Sequence, residues 1–269
     1  MLRRNFMYNT GWALQHFIVQ RKTMNNIQDT LLFPVRDAEA RKQFLITCAI
    51  MLTVFIIPIL PTLIVMGYCA KIMRDVIEEK KSPSMPSWQG SNWSELLVDG
   101  LRIYGAQLVL TLPLLVLMGC GIIPMLAGSV GFAALPEDGG EGFAALGMLF
   151  FTIGTIIFML VSVLSLPYSV IVSAALPHVA TKRSFQAAFE FNQWFPIFRQ
   201  ALGQFIVGYV IILAASFVFT IVMQVAMMTI ILICIVPVIM IPYISYQLLI
   251  MNTVFAQAYV MGRDGLQSA

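Results

Sequence analysis

Charged side chains are scarce in this 269-residue sequence, and four long stretches contain none. Asp, Glu, Lys and Arg make up 11% of the residues, whereas soluble proteins contain about 25%. The longest of these stretches, residues 200–262, also lacks histidine, which excludes a surface covered by water. Each ionised side chain at the centre of a bilayer helix costs about 2.5–3.5 kcal/mol, so hydrocarbon selects such a composition. The sequence therefore predicts an integral membrane protein.

Signatures of catalysis and metal binding are absent as well. There is no His-Glu-x-x-His, no Walker loop and no Gly-x-Gly-x-x-Gly that opens a helix. The cysteines form no Cys-x-x-Cys pair, which argues against zinc and favours buried free thiols. We therefore expect no enzyme activity, no catalytic or metal-binding residue and no cofactor. The four cysteines are Cys48, Cys69, Cys120 and Cys234.

The charge-free stretches predict four helices that cross a membrane. Stretches 103–136 and 142–181 each hold one span of about 20 residues, and 200–262 is long enough for two. We place the turn between the last two spans before Pro237, because proline suits the first turn of a helix. The predicted spans are 103–127, 146–172, 203–228 and 235–260.

The remaining charge-free stretch, 43–70, does not predict a simple crossing. Basic residues flank it on both sides, and it is too short for two full spans. Pro58 and Pro61 lie at its middle, where proline breaks a helix. We favour a shallow or re-entrant helical hairpin, with both ends cytoplasmic, over a fifth span. The predicted fold is thus an all-α integral membrane protein with four transmembrane helices, this hairpin and amphipathic cytoplasmic helices.

Basic residues predict the orientation, because basic loops stay in the cytoplasm. Lys and Arg occur in 71–102, in 182–199 and at Arg263, whereas the charged residues of loop 131–142 are all acidic. The former segments and the C-terminus are therefore expected inside, in a cytoplasmic membrane, and loop 131–142 outside. We predict an N-terminal tail, either cytoplasmic or a gene-model extension, then one polytopic membrane domain and a short cytoplasmic tail. Their ranges are 1–24, 25–262 and 263–269.

Three amphipathic helices are predicted on the cytoplasmic side. Residues 62–81 have an apolar stripe and a wet face, on which Lys71–Asp75 and Arg74–Glu78 are i,i+4 pairs of opposite charge. Asn92 is predicted to cap a second helix, which runs into the first span. Residues 182–199 mix aromatic and basic side chains in a third.

Polar residues at the membrane ends and inside the spans each have two interpretations. The basic side chains Arg102, Lys182, Arg183 and Arg199 either bind anionic lipid headgroups or anchor the topology, which we favour. The polar side chains Gln107, Ser165, Ser169, Ser173 and Gln204 either line a solute path or join helices, which we favour. The spans contain no carboxylate, which argues against a proton-driven carrier. We interpret His178 as an interfacial residue near the cytoplasmic end.

Six short blocks follow one another along the chain. They are Phe33-Pro34-Val35-Arg36-Asp37, Ile57-Pro58-Ile59, Gly67-Tyr68, Pro86-Ser87-Trp88, Trp93-Ser94-Glu95-Leu96-Leu97-Val98-Asp99-Gly100-Leu101 and Phe185-Gln186-Ala187-Ala188-Phe189. Their order resembles the bacterial and archaeal membrane family called domain of unknown function 4013, over roughly residues 25–262. The resemblance implies a multi-pass membrane protein and assigns no activity.

The sequence therefore favours a non-enzymatic membrane protein that acts as a scaffold or as an accessory to lipid or to a partner. The alternative is a transporter of small solutes or lipid, and an intramembrane enzyme is least supported. The expected partners are the lipid bilayer and a membrane protein or a second copy of the chain. No nucleic-acid partner is expected.

Overall fold

Helices account for the regular structure of the protein. The computed structural model describes residues 28–79, 82–133, 141–228 and 236–267, and within these ranges it contains no β-strand. This confirms the predicted all-α class. The helices are α1 (Ala38–Leu52), α2 (Leu60–Glu79), α3 (Trp93–Ala133), α4 (Glu141–Lys182), α5 (Phe191–Gln200), α6 (Leu202–Met227) and α7 (Val236–Gln267). Short 3-10 helices occupy Thr53–Phe55 and Phe185–Phe189.

Four of these helices are long and apolar enough to cross a membrane, as the sequence predicts. Only 6% of the most apolar window of α3 and 11% of that of α4 are buried by the rest of the protein. Apolar side chains exposed at this density require hydrocarbon around them rather than water. The apolar ranges are Trp93–Val130, Ala144–Lys182, Leu202–Val225 and Val238–Gln267.

Helix α3 begins ahead of the membrane-spanning part, where the sequence predicts a cap. The side-chain oxygen of Asn92 accepts a hydrogen bond from the backbone N–H of Ser94 at 3.2 Å, which satisfies one of the first free amides of the helix. The helix then continues without a break through Arg102 into the charge-free stretch. Helix α3 is therefore continuous from the segment that the sequence predicts to be cytoplasmic into the first apolar range.

Helices α1 and α2 form the hairpin expected from the first apolar stretch. Asp37 caps α1 by accepting a hydrogen bond from the backbone N–H of Ala40 at 2.7 Å. The chain reverses after the 3-10 turn Thr53–Phe55, and Pro58 lies in this reversal. Neither α1 nor α2 is among the helices apolar enough to count as a span. The break is where the prolines predict it, and the depth of the hairpin in a membrane stays a prediction.

Helix α2 is the central helix of the described structure. It packs against α1, α3, α4 and α7, and every residue from Val65 to Ala70 is buried. The predicted wet face is wrong at Arg74, which is only 6% exposed. Neither predicted pair is within ion-pair distance in the described structure. Arg74 pairs instead with Asp99 of α3, and Lys71 donates to the Ser91 hydroxyl.

Two glycines allow the backbones of α2 and α3 to touch. A Cβ atom on Gly67 would overlap the carbonyl oxygen of Leu96, and one on Gly100 would overlap the carbonyl oxygen of Leu63. The two contacts run in opposite chain directions, so the helices cross in antiparallel orientation. Small residues permit such close approach between helices, and any larger residue forces them apart.

The predicted cytoplasmic segments lie at one end of the molecule. The Arg183 guanidinium, at the end of α4, lies 2.8 Å from the Glu95 carboxylate at the start of α3. Arg263 of α7 donates a hydrogen bond to the carbonyl oxygen of Ile77 at 2.9 Å. Residues 263–267 of the predicted tail are helical, since they continue α7, and Gly265 packs beside Gln200 of α5.

We predict that Gly100→Ala destabilises the protein, because its methyl group would overlap the Leu63 carbonyl. Overpacking of this kind costs about 1–3 kcal/mol, so the thermal unfolding midpoint in detergent should fall by several degrees. Gly119→Ala is the matched control, because it lies in the same helix and its methyl group would meet no atom within 4 Å. Equal midpoints for the two variants would contradict a close crossing.

Candidate functional site

Trp88 fixes the segment between α2 and α3 to the hairpin. Its ring stacks on Tyr68, with ring centroids 4.1 Å apart and planes inclined by 10°. Its indole N–H donates to the Gln43 carbonyl oxygen and to the Thr47 hydroxyl, both at 3.2 Å, and its backbone N–H donates to the Gln43 side chain at 3.1 Å. Every polar atom of Trp88 that faces the hairpin is therefore satisfied.

The same segment is held a second time through the Tyr68 hydroxyl. This hydroxyl donates a hydrogen bond of 2.6 Å to the carbonyl oxygen of Pro86. Trp93, the first residue of α3, also stacks on Trp88, at a centroid distance of 5.6 Å. The stack Tyr68–Trp88–Trp93 thus connects α2, the segment and α3.

A buried ion pair involves Asp99, which lies six residues after Trp93 in α3. The Asp99 carboxylate is 2% exposed and lies 2.7 Å from the Arg74 guanidinium of α2. Its other oxygen lies 2.9 Å from the Arg102 guanidinium on the same helix. Two cations therefore neutralise one carboxylate, and the pair locks α2 to α3 beside the glycine crossing. We call Tyr68, Arg74, Trp88, Asp99 and Gly100 the junction.

A second polar cluster surrounds His178 of α4, which is 4% exposed. One ring nitrogen lies 2.8 Å from the Tyr259 hydroxyl of α7, and the other lies 3.1 Å from the Glu190 carboxylate. Lys182 donates to the same carboxylate at 2.6 Å. These hydrogen bonds, that of Lys182 first and that of His178 second, hold the pKa of Glu190 below its ordinary value. The histidine is buried within the protein rather than facing the interface.

Three of the four predicted headgroup residues have acidic partners within the chain. Arg102 pairs with Asp99, Lys182 with Glu190 and Arg183 with Glu95. Arg199, at the end of α5, is exposed and has no carboxylate within ion-pair distance among the described residues. An intramolecular partner reduces the charge that a side chain offers to a lipid phosphate.

The residues proposed for a polar path do not converge. The hydroxyls of Ser165 and Ser173 donate to backbone carbonyls of their own helix. The Ser169 hydroxyl lies 2.7 Å from the Leu166 carbonyl oxygen of its own helix and 2.6 Å from the Tyr209 hydroxyl of α6. Gln107 is half-buried in α3, whereas Gln204 lies in a different groove, between α6, α7 and helical residues 28–32.

The cysteines are less uniformly buried than predicted. Cys69 is buried in α2 and Cys48 is half-buried in α1, but Cys120 lies on the exposed face of α3. That expectation was wrong because an apolar segment has an outer face, which hydrocarbon covers as readily as protein does. Cys234 lies outside the described residues. Within those residues, no three His, Cys, Asp or Glu side chains gather as metal ligands would.

Comparison with known proteins identifies a family but no activity. The model of a family described as protein of unknown function (DUF4013) matches residues 50–230. This range is shorter than the predicted 25–262. It includes the blocks Gly67-Tyr68 and Pro86-Ser87-Trp88 and the block that contains Asp99-Gly100, and these three blocks meet in the junction. No curated protein and no solved structure matches the chain.

We predict that the Arg74–Asp99 pair is strongly coupled. Asp99→Leu leaves the buried Arg74 without a partner, and the loss of one partner from a buried pair costs about 3–5 kcal/mol. The double variant Arg74→Met/Asp99→Leu should recover most of that free energy, because no charge then remains buried. Unfolding by dodecyl sulfate in mixed micelles measures the cycle, and additive effects of the two substitutions would contradict the pairing.

We also predict a pH dependence that arises from Glu190. Its pKa is lower in the folded state, so its stabilisation is present above the pH at which the unfolded chain titrates. It is lost as the pH falls through the folded-state pKa. Acidification should therefore lower the unfolding midpoint of the wild type more than that of Glu190→Gln. The control Glu78→Gln removes an exposed carboxylate at the end of α2 and should behave as the wild type does.

Proposed function

The chain belongs to this family of unknown function, and from that premise we propose a multi-pass protein of the cytoplasmic membrane. It acts as a non-enzymatic scaffold or accessory protein that contacts lipid or a partner membrane protein. Its basic end, including the C-terminus, faces the cytoplasm, because basic segments are retained there.

The junction is the observation that carries this proposal. The hydrogen-bonding groups of its two aromatic residues contact the chain itself: the Trp88 N–H groups donate to Gln43 and Thr47, and the Tyr68 hydroxyl donates to Pro86. Asp99 is enclosed between Arg74 and Arg102. A catalytic or transport site needs polar groups that converge on a cavity. These groups converge on one another, as expected of residues that hold a shape.

The distribution of burial supports the scaffold role as well. The buried core gathers around α2 at the basic end, whereas α3 and α4 expose most of their apolar windows. A core at one end with long exposed helices at the other presents a stable platform with a large lateral surface. Lipid and membrane proteins are the partners that such a surface accepts.

The alternative, a transporter, requires a water-accessible path through the spans. The bonds of Ser165 and Ser173 to their own helix, and the separation of Gln107 from Gln204, speak against a connected path. Polar residues between α6 and α7 behave as helix contacts instead: Gln247 donates to the Ser216 hydroxyl at 3.0 Å. Such bonds join helices without lining a channel.

Cysteine accessibility tests the two functions against each other. In a variant whose four native cysteines are alanine, single cysteines replace Gln107, Ser165 or Ser173, and a membrane-impermeant thiol reagent is added. The scaffold predicts no labelling at these positions from either side of the membrane. A transporter predicts labelling at consecutive positions along the path.

Two controls calibrate the measurement. Gln89→Cys lies in the exposed segment before α3, so it should react in inside-out vesicles and not in intact cells. Leu164→Cys lies on the exposed apolar face of α4, and lipid should protect it from the reagent. Labelling of Gln89→Cys in intact cells would overturn the proposed orientation, independently of the path.

A further inference from the structure

Helix α1 has two faces with different surroundings. Its inner face is buried against Trp88 and α7 and carries Ala40, Gln43, Thr47 and Met51. Its outer face contains no buried residue, and Leu45 is 65% exposed there. The outer face is an open surface with one stripe of residues along the helix, namely Ala38, Arg41, Lys42, Leu45, Ile46 and Ala49. Two cations thus lie at one end of an apolar stripe.

Among the described residues, no carboxylate neutralises the two cations of this stripe. Arg41 donates through Nε to the backbone oxygen of Asp37 at 3.3 Å. Neither Arg41 nor Lys42 has a carboxylate within ion-pair distance among the described residues. The neighbouring acids are engaged elsewhere, because Asp37 caps α1 and Glu39 accepts from Gln43. This distinguishes the pair from Arg102, Lys182 and Arg183.

The stripe lies on α1, which packs against α7, one of the helices long and apolar enough to cross a membrane. The Phe44 ring meets Tyr246 edge-on at a centroid distance of 6.5 Å, and Tyr246 belongs to the apolar range Val238–Gln267. On the other side of the hairpin, Leu63 touches Gly100, three residues before the charge-free stretch of α3 begins.

The tip of the hairpin extends further in the same direction. Because α2 and α3 are antiparallel, residues before Leu63 lie level with those after Gly100. The tip residues are apolar and exposed: Phe55 by 66%, Ile56 by 82% and Ile59 by 62%. A stripe that leads from two cations to an apolar tip matches a phospholipid, which has a charged headgroup and apolar chains.

From this placement we infer that the outer face of α1 binds an anionic phospholipid. The Arg41 guanidinium and the Lys42 ammonium hold the phosphate, and an acyl chain lies along Leu45 and Ala49 toward the tip. The inference rests on the proposed function, because it requires that the protein is embedded in a bilayer. It names the lipid class, and it places the site on α1 rather than on the four basic residues that the sequence suggests.

Native mass spectrometry of the full-length protein in detergent tests this site. The probe is phosphatidylglycerol, and phosphatidylcholine with the same acyl chains is the zwitterionic reference. The wild type should retain phosphatidylglycerol in preference to phosphatidylcholine. Arg41→Gln/Lys42→Gln should weaken phosphatidylglycerol binding on the order of 20-fold, since each basic residue at an anionic surface contributes roughly fivefold.

A matched variant separates a site from general attraction. Arg183→Gln/Arg199→Gln removes two exposed cations, of which Arg183 pairs with Glu95 and Arg199 has no carboxylate partner among the described residues, and it should leave the preference unchanged. Leu45→Asn should weaken binding of phosphatidylglycerol without lowering the unfolding midpoint, because the side chain is exposed. An equal loss in both double variants, or no loss in Arg41→Gln/Lys42→Gln, would overturn the inference.

One further measurement keeps the inference separate from the proposed function. Alkaline carbonate extraction of the cell membranes shows whether the protein is integral to them. A protein that stays in the membrane but has no preference for phosphatidylglycerol contradicts only the lipid site. A protein that carbonate releases contradicts the proposed function.

Discussion

Backbone contact between α2 and α3 is the constraint on which the described structure depends. Gly67 and Gly100 leave no side chain between the two helices, so the carbonyl groups of Leu96 and Leu63 fill the space. This closeness also places the Arg74 guanidinium within 2.7 Å of Asp99. Van der Waals contact and a buried ion pair therefore act at the same place, and each fixes the geometry that the other needs.

Other parts of the basic end assemble around this crossing. Trp88 closes the segment between α2 and α3 over Tyr68, and its bonds to Gln43 hold α1 against the same surface. Helix α7 caps the end of α2 through Arg263, and α4 reaches the start of α3 through Arg183. The polar side chains at this end thus link helices that hydrophobic burial alone would leave free to slide. Farther from it, α3 and α4 expose apolar faces that suit lipid or another membrane protein rather than water.

The sequence predicts the spans well, because hydrocarbon acts on each residue separately. Any charge between Ile103 and Pro136 is costly whatever its neighbours are, so its absence is visible without a structure. The helix cap at Asn92 and the break near Pro58 are likewise local, and the structure has both.

The errors arise where a residue's partner is distant in sequence. The hydrophobic pattern of α2 places Arg74 on a face exposed to water. The pattern shows only that this position is polar, and it cannot show that the partner is Asp99, 25 positions further along the chain. The acidic partner of Arg183, Glu95, is likewise distant in sequence, because it lies 88 positions earlier. Arg102 and Lys182 pair with the nearby Asp99 and Glu190, so these partners are open to sequence reasoning, which did not consider them. The resemblance does mark Gly67 and Gly100, but no composition rule says that these two glycines face each other's helix.

Hydrogen exchange of the full-length protein in lipid nanodiscs tests most directly whether α2 is an internal helix. Exchange reports the free energy of opening for each backbone amide, and α2 is not among the apolar helices that lipid would protect. The account predicts that the amides of residues 65–77 exchange as slowly as those of α3 and α7. Exchange within seconds across this range, as in a helix lying on the surface, would contradict the central place of α2.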